Sequence, residues 1–304
     1  MHITFRQLRL FLALAESGSV SGAARRTHVT QPTASMQLRE ITEAIGLKLY
    51  EVVSKRVVLT EAGEELARTA RAIADEWDGF EQRVAALQGL TRGRLRIAVV
   101  STAKYFVPRL LGAFCALYPE VEISLVVLNR DGVIDRLREN RDDLYIMSKP
   151  PESFDLANDE LMPNPLVLIS STSHALAART QISLHALGQE RFILREQGSG
   201  TRLAVDAHFA AQRFKPIVRL ELGNNEAIRE AVAGGLGLAV LSRHALEGRA
   251  TGDSGVTILP VDGFPIPSKW HLVHPRNREL SPIATVFREH LLRACASAID
   301  EAAR

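Results

Sequence analysis

The sequence predicts a chain of three parts: an N-terminal, all-α winged helix-turn-helix, a long coiled-coil linker helix, and a C-terminal α/β domain of two lobes. Three observations support this division. Apolar residues first recur at helical spacing, a seven-residue repeat follows, and strand and helix patterns then alternate. We place the three parts at residues 1–60, 61–90 and 94–304. A hydrophobic content of 46% over 304 residues is enough for a large core.

Residues 29–47 (VTQPTASMQLREITEAIGL) form the best-defined predicted helix. Thr30 fits the N-cap position, and Pro32 falls in the first turn, where its missing N–H leaves no hydrogen bond unmade. One face is apolar and should be buried against other helices. That face consists of Ala34, Leu38, Ile41 and Ile45. The opposite face is mixed and carries Pro32, Ser35, Met36 and Arg39.

Two shorter helices precede this segment. The first is amphipathic and ends at Ser17-Gly18, and Ser19 can cap the second. The order of helix, helix, short turn and helix is that of a helix-turn-helix. An ordinary three-helix subdomain is the alternative, because helical corners are common in all proteins.

A short alternating run, KLYEVVSKRVVLT, follows the third helix and predicts a two-stranded wing. Its tip carries Lys55 and Arg56, which could reach the backbone or the minor groove of a duplex. Residues 1–60 hold eight Lys or Arg against four acidic residues, a net charge of +4, whereas the whole chain carries +2. The basic excess lies where phosphate contacts would be needed, although an ordinary solvated surface can carry the same excess.

Residues 61–90 carry a heptad pattern typical of a coiled coil. A long helix packed on its own domain is the alternative. We favour a dimer helix because two linked copies of a DNA-binding domain can bind two half-sites of a duplex. The predicted dimer contacts are Leu66, Ile73, Trp77, Phe80 and Val84.

From residue 94 onward, predicted strands alternate with helices, the first of which is expected to open at Ser101-Thr102. Two proline-rich segments, Pro163-Asn164-Pro165 and Pro265-Ile266-Pro267, lie between strands and should form rigid extended connections. We expect the chain to cross between two lobes at these segments. Lobe I would span about 94–163 and 268–304, and lobe II about 164–267.

Small polar residues and cations follow several of these strands, where the next helix begins. Free N–H groups and the positive end of the helix dipole meet there, and open α/β sheets bind ligands at the carboxyl ends of strands. We therefore expect an interlobe cleft that binds a small anion. The alternative is that these residues only cap helices. The candidate effector-binding residues are Ser101, Thr102, Lys104, Asn129, Arg130, Ser199, Gly200, Thr201, Arg202, Asn224 and Asn225.

The sequence carries no familiar catalytic or metal-binding motif, since HExxH, CxxC and GxSxG are all absent. The segment GSGT at 198–201 falls short of a P-loop. Cys115 and Cys295 indicate buried thiols in a reducing compartment, not a disulfide framework. Neither a membrane span nor an export signal is visible. We therefore expect a cytoplasmic protein without catalytic residues, metal or cofactor.

The segment TQPTASMQL, followed by the wing and LTEAG, resembles the winged helix-turn-helix of LysR-type transcriptional regulators. The C-terminal region is similar to the effector domain of that family, which resembles type 2 periplasmic binding proteins. The resemblance covers nearly the whole chain. It implies binding to double-stranded operator DNA, self-association as a homodimer or homotetramer, a small-molecule effector, and no membrane partner.

This resemblance also implies which residues face DNA. The first two turns of the third helix should enter a major groove while the wing tip holds the backbone. The predicted DNA-binding residues are Thr30, Gln31, Pro32, Thr33, Ser35, Met36, Arg39, Lys55 and Arg56.

Four segments, QPTASMQL, STAKYFVPRLL, MSKPPE and LREQGSGTR, look like the CbbR regulators of carbon-fixation operons. Those regulators sense phosphorylated metabolites or NADPH, so the resemblance implies a small anionic effector and control of RuBisCO genes. Two other functions stay open: a LysR-type regulator of sulfur, nitrogen or aromatic metabolism, and an anion-binding enzyme on a two-lobed fold.

Overall fold

The computed structural model describes residues 2–54, 56–88, 92–246 and 255–302. The chain divides into two compact units, Met1–Leu90 with Glu139–Arg141, and Thr91–Arg138 with Asp142–Arg304. The buried apolar residues of the two units form separate cores.

The first unit opens with the predicted helix-turn-helix and wing. Its elements are α1 (Phe5–Ser17), α2 (Val20–Arg26), α3 (Gln31–Ile45) and the antiparallel strands β1 (Tyr50–Val53) and β2 (Arg56–Leu59). The hydroxyl of Thr30 accepts the N–H of Thr33 (3.3 Å) and caps α3 as predicted. Gly18 and Gly46 end α1 and α3 with positive φ, which glycine adopts without strain. The apolar stripe of α3 is confirmed, since its core-facing residues are buried: Ala34, Leu38 and Ile41.

A 27-residue helix, α4 (Glu61–Leu87), follows the wing. The hydroxyl of Thr60 accepts the N–H of Gly63 (3.2 Å) and donates to the carbonyl of Lys48 (2.6 Å), which ties the start of α4 to the turn before the wing. Leu66 packs against the helix-turn-helix core. Three later residues of the same seam are exposed by 44%, 48% and 49%: Ile73, Trp77 and Phe80. The heptad face is therefore divided between the unit's own core and an open surface.

The second unit begins with lobe I. Its first elements are β3 (Gly93–Val100), α5 (Val107–Leu117), β4 (Val121–Leu128), α6 (Arg130–Arg138), β5 (Leu144–Met147) and β6 (Leu156–Pro163). The expectation of a helix opening at Ser101-Thr102 is wrong: a 3-10 turn at Ala103–Tyr105 comes first, and α5 begins at Val107. The reason is Pro108, which lacks an N–H and fits only the first turn of a helix.

The chain then crosses into lobe II. This lobe contains β7 (Leu166–Ser171), β8 (Arg191–Arg195), α7 (Gly200–Ala211), β9 (Ile217–Leu222), α8 (Asn225–Ala233), β10 (Leu238–Ser242) and β11 (Val256–Ile258). Its sheet has the order β11-β7-β10-β8-β9, in which β8 runs parallel to both of its neighbours. The carboxyl ends of β8 and β9 therefore lie at one edge, directly before α7 and α8.

The chain returns to lobe I through β12 (Lys269–Pro275) and α9 (Pro282–Ala302), giving a sheet of order β4-β3-β5-β12-β6. The two crossings lie side by side: the N–H of Asn164 donates to the carbonyl of Ser268 (2.7 Å), and Leu166 pairs with Ile266. The two-lobed fold is confirmed. Strands β6 and β11 were not predicted, because β6 carries the acidic run NDE and β11 has only three residues.

Candidate functional site

The outward face of α3 presents the side chains that the sequence predicted to face DNA. Gln31, Pro32 and Ser35 are exposed, and Met36 is 55% exposed. Arg39 is exposed too, but its Nε donates to Glu43 (2.8 Å), one turn further along the helix. Met36 is an exposed apolar side chain among polar neighbours, which suits it to contact the edges of bases.

The remaining predicted DNA contacts have different settings. Thr30 and Thr33 share a hydrogen bond between their hydroxyls (2.8 Å) and form the cap of α3. Arg56 is exposed at the start of β2. Lys55, the other predicted wing-tip cation, lies outside the described residues.

The exposed part of α4 forms a continuous apolar surface with α1, which we call the linker face: Phe5, Ile73, Trp77 and Phe80. The ring centroids of Phe5 and Trp77 are 5.9 Å apart, and those of Trp77 and Phe80 are 5.6 Å apart. These residues, with Glu76 and Arg83 at the margin, line a hollow of about 670 Å³. Val84, the last predicted contact, is partly buried.

A buried guanidinium organises the cleft between the lobes. Arg195 ends β8, and its side chain is 1% exposed. It donates from Nε and Nη2 to the carboxylate of Glu196 (2.8 and 2.9 Å), from Nη1 to Oδ1 of Asn225 (2.6 Å), and from Nη2 to the hydroxyl of Ser101 (3.2 Å). Ser101 belongs to lobe I, so one side chain connects both lobes.

The amide of Asn225 completes this group. Its orientation is fixed because Oδ1 accepts from Arg195. Its Nδ2 is buried and has no hydrogen-bond partner of good geometry among the described residues. Tyr105 is close enough to affect this amide, but no hydrogen bond of good geometry saturates Nδ2, so a buried donor beside a guanidinium is a natural contact for an anion.

A second connection between the lobes lies next to Arg195. Glu226, the residue after Asn225, accepts from Nζ of Lys104 and from the hydroxyl of Tyr105, both at 2.8 Å. Burial opposes the charge of Glu226, but these two hydrogen bonds, together with a bond from its own backbone N–H and the charge of Lys104, outweigh it and lower the pKa of that carboxyl. Burial, together with the bond to Glu226, raises the pKa of Tyr105 well above its ordinary value, so the phenol remains a donor.

The start of α7 forms a separate group with lobe I. The N–H of Asp131 donates to the carbonyl of Gly198 (3.2 Å), and a Cβ on Gly200 would lie 2.8 Å from the hydroxyl of Ser148. A cavity of about 160 Å³ is lined here by Arg130, Asp131, Ser199 and Arg202 among others. Ser199 and Thr201 are buried beside it.

Three predicted effector residues are occupied by structural hydrogen bonds. Asn129 caps α6 by accepting the N–H of Gly132 (3.0 Å), and Asn224 caps α8 by accepting the N–H groups of Glu226 and Ala227. The hydroxyl of Thr102 is buried and accepts the indole N–H of Trp270 (3.1 Å). These contacts agree with the capping alternative for the two asparagines.

The predicted cations of the cleft each have a carboxylate nearby. Lys104 faces Glu226, and Arg202 donates to Asp206 and Glu221. Arg130 lies 3.8 Å from Asp131. The predicted cations of the cleft are therefore already paired with carboxylates. An anion that enters the cleft has to compete with these carboxylates.

Two family models match the chain. One, described as "Bacterial regulatory helix-turn-helix protein, lysR family", matches residues 5–64, and the other, "LysR substrate binding domain", matches residues 88–296. The chain belongs to the LysR family of transcriptional regulators. Within the described ranges, this LysR-type regulator has no group of three or more His, Cys, Asp or Glu suited to a metal ion. Across the same residues, no helix is both long and apolar enough to cross a bilayer.

Relatives match this regulator along most of its length. It is 42% identical to the HTH-type transcriptional activator CmpR of Synechocystis sp. (strain ATCC 27184 / PCC 6803 / Kazusa), over 95% of this chain and 94% of that protein. It is also 42% identical to the RuBisCO operon transcriptional regulator of Acidithiobacillus ferrooxidans, over 97% and 95%. Both relatives are transcriptional regulators and not enzymes, which removes the enzyme alternative.

Solved structures agree with this assignment. The CcmR regulatory domain of Synechocystis PCC6803, in complex with 2-PG, is 47% identical with a TM-score of 0.65, over 66% of this chain and 97% of that one. A full-length OxyR variant from Pseudomonas aeruginosa has a TM-score of 0.75 over 97% and 95%. Its identity is 22%, so it shows the shared fold alone.

Sequence reasoning missed the residues that hold the cleft together. Arg195 ends the strand pattern RFILR (191–195), and the candidate residues for an anion site are polar or basic, so Glu196 and Glu226 are not among them. One signal was available. An arginine that ends a buried apolar strand, three residues before the first glycine of a glycine-rich turn, lies at the edge where ligands bind.

The position of Glu226 predicts a pH dependence of stability. Its folded pKa lies below the ordinary 4.5, so its bonds stabilise the fold above that pH and are lost as the pH falls further. We expect Glu226→Gln to lower the free energy of unfolding near neutral pH, with the difference from wild type shrinking as the pH falls below about 4.5. Urea unfolding over a pH series measures this. Glu152→Gln, at an exposed carboxylate, is the matched control, and a difference for Glu226→Gln that is constant with pH would contradict the prediction.

Proposed function

We propose that this LysR-type regulator binds operator DNA as a homo-oligomer at carbon-fixation genes, and that a small phosphorylated acid in the interlobe cleft controls it. The observation that carries the effector site is Arg195, whose buried guanidinium meets Ser101 of one lobe and Asn225 of the other. The names of the two 42% identical relatives support the choice of genes, since one regulates a RuBisCO operon. The 47% identical CcmR domain binds 2-PG (2-phosphoglycolate).

The effector site proposed here is built around Arg195 and does not include the cavity beside Arg130 and Ser199. Arg195 attracts a phosphate or carboxylate by its charge while Glu196 keeps two of its donors, and Nδ2 of Asn225 lies beside it as a further N–H group. We assign Ser101, Arg195 and Asn225 to the anionic group.

The paired charges suggest how the effector acts. Glu196 lies on the same lobe as Arg195, whereas Glu226 is bonded to Lys104 of the other lobe and its side chain is 39% exposed. Partly exposed pairs contribute only about 0–1 kcal/mol, so an incoming anion displaces Glu226 more easily than Glu196. Displacement breaks a bond between the lobes. The effector then prefers a different lobe arrangement, which is the condition for a ligand to shift an equilibrium.

The effector prediction concerns Arg195→Lys, which keeps the charge but loses the planar fork. We expect calorimetry to show the affinity for 2-phosphoglycolate falling roughly tenfold or more, because one point charge replaces several directed bonds. Arg219→Lys, on the exposed edge strand β9, is the matched control and should bind like wild type. The effector site would be refuted by a wild-type protein that binds no 2-phosphoglycolate, or by equal affinities for both variants.

The DNA prediction separates the backbone contact from the base contact. Replacing Arg56 with Ala should weaken binding to all duplexes and reduce the slope of log K against log salt by about 0.9, because one phosphate contact is lost. Met36→Ala should leave that slope unchanged and alter the preference at one base step. Arg68→Ala, an exposed arginine on α4, is the control for charge. Salt titrations and binding-site selection measure both effects, and an unchanged motif and slope in both variants would exclude this docking.

The linker face supports the dimer. Ile73, Trp77 and Phe80 are half exposed on one side of α4, and apolar patches of this kind mark protein interfaces.

A tetramer needs a second surface, and the two edge strands supply one: β4 exposes Val127, and β9 exposes Ile217, Val218 and Leu220.

The assembly prediction follows from that linker face. Ile73→Asp would bury an unpaired carboxylate in the dimer seam, at a cost of several kcal/mol, so light scattering should show a smaller species. Ala72→Asp places the same charge one residue away, outside the seam, and should keep the wild-type mass. If Ile73→Asp also keeps the wild-type mass and DNA affinity, the linker face is not the interface.

A further inference from the structure

A second cavity lies away from the cleft, against the two crossings between the lobes. It has a volume of about 490 Å³, within the range of small-molecule sites and about three times that of the cavity at Arg130. Four pyrrolidine rings form its apolar wall, two from each crossing: Pro163, Pro165, Pro265 and Pro267. We call it the crossover pocket. Hydrogen bonds between the crossings hold this wall in place without a ligand.

Polar groups stand around this apolar wall. Lys149 comes from the segment after β5, and Lys269 and His271 come from β12. Nζ of Lys269 is already paired with Glu160 (2.6 Å), and Nδ1–H of His271 donates to Asn158 (2.9 Å). Burial lowers the pKa of His271, so its imidazole is neutral near pH 7. The net positive charge of the crossover pocket therefore comes from Lys149.

The crossover pocket is separate from the cleft but shares one segment with it. In β12, Trp270 is buried in the core of lobe I, where its indole bonds to Thr102, the residue after Ser101, while Lys269 and His271 on either side of it line the pocket. The carbonyl of Lys149 accepts from Nε and Nη2 of Arg130 (3.1 and 3.0 Å), a residue of the cleft cavity. A ligand that moves Lys149 would therefore also move Arg130.

We propose that the crossover pocket is a second ligand site, which takes a small organic anion with a planar apolar ring. The proline rings offer flat apolar surfaces for the body of such a ligand, and Lys149 offers a charge at the margin for its carboxylate. A bare phosphate or a small phosphorylated acid would leave the apolar wall uncovered and belongs in the cleft. The site does not depend on the proposed effector, because none of its lining residues binds the anion at Arg195.

The full-length protein tests this with 1-naphthoate, whose fluorescence changes when it leaves water. We expect saturable binding to wild type. Lys149→Met keeps the apolar stem and removes the charge, so it should weaken binding at least about fivefold, and the neutral isostere 1-naphthamide should bind equally well to both proteins. Lys104→Met, which removes a cation from the cleft, is the matched control and should bind 1-naphthoate like wild type.

A competition experiment locates the probe. Saturating 2-phosphoglycolate should leave the 1-naphthoate sites available, although their affinity can change through Arg130. The proposal is overturned if 1-naphthoate does not bind, if Lys149→Met binds it like wild type, or if Lys104→Met is the variant that weakens it. If 2-phosphoglycolate does not bind, the proposed effector is wrong. Binding of 1-naphthoate to the Lys149→Met and Lys104→Met variants still tests the crossover pocket in that case.

Discussion

A guanidinium that is removed from water must be surrounded by partners, because an unpaired buried charge costs several kcal/mol. Arg195 finds these partners on both lobes: Glu196 beside it, Asn225 at the start of α8, and Ser101 after β3. This requirement fixes where three chain segments meet. It also means that the central cation of the cleft is never free, and that any ligand binds by joining or replacing an existing partner.

The need to pair buried cations explains why the cleft is rich in acidic residues, although the protein's relatives suggest an anionic effector. In the proposed mechanism, these carboxylates occupy the cations when no effector is bound, so the cations are not left unpaired in the folded protein. The pair between Lys104 and Glu226 differs from the others because it is partly exposed and joins the two lobes. An anion that replaces Glu226 changes the bonds between lobes without leaving a buried charge unpaired. A coupling of roughly 1 to 3 kcal/mol, the usual allosteric range, is enough to regulate DNA affinity.

Most of the fold could be predicted, because helix caps, heptads and buried strands are local patterns. The Thr30 cap, the glycine at the end of α3 and the proline-rich crossings all follow from local chemistry. The candidate site was only partly predictable. The sequence marked Ser101 and Asn225 by their places at strand ends, but which cation they meet depends on long-range packing. The partners of Lys104 and Arg202 were also out of reach, since Glu226 and Glu221 are 122 and 19 residues away in the chain.

The central claim is that the effector, bound beside Arg195, displaces the carboxylate of Glu226 from Lys104. The direct measurement is calorimetric titration of Glu226→Gln with 2-phosphoglycolate. If Glu226 competes with the ligand, the variant should bind roughly tenfold more tightly than wild type, because the anion meets an unpaired ammonium group. If the variant binds with wild-type or lower affinity, Glu226 does not occupy the place of the effector, and the exchange of carboxylates is not the mechanism of this regulator.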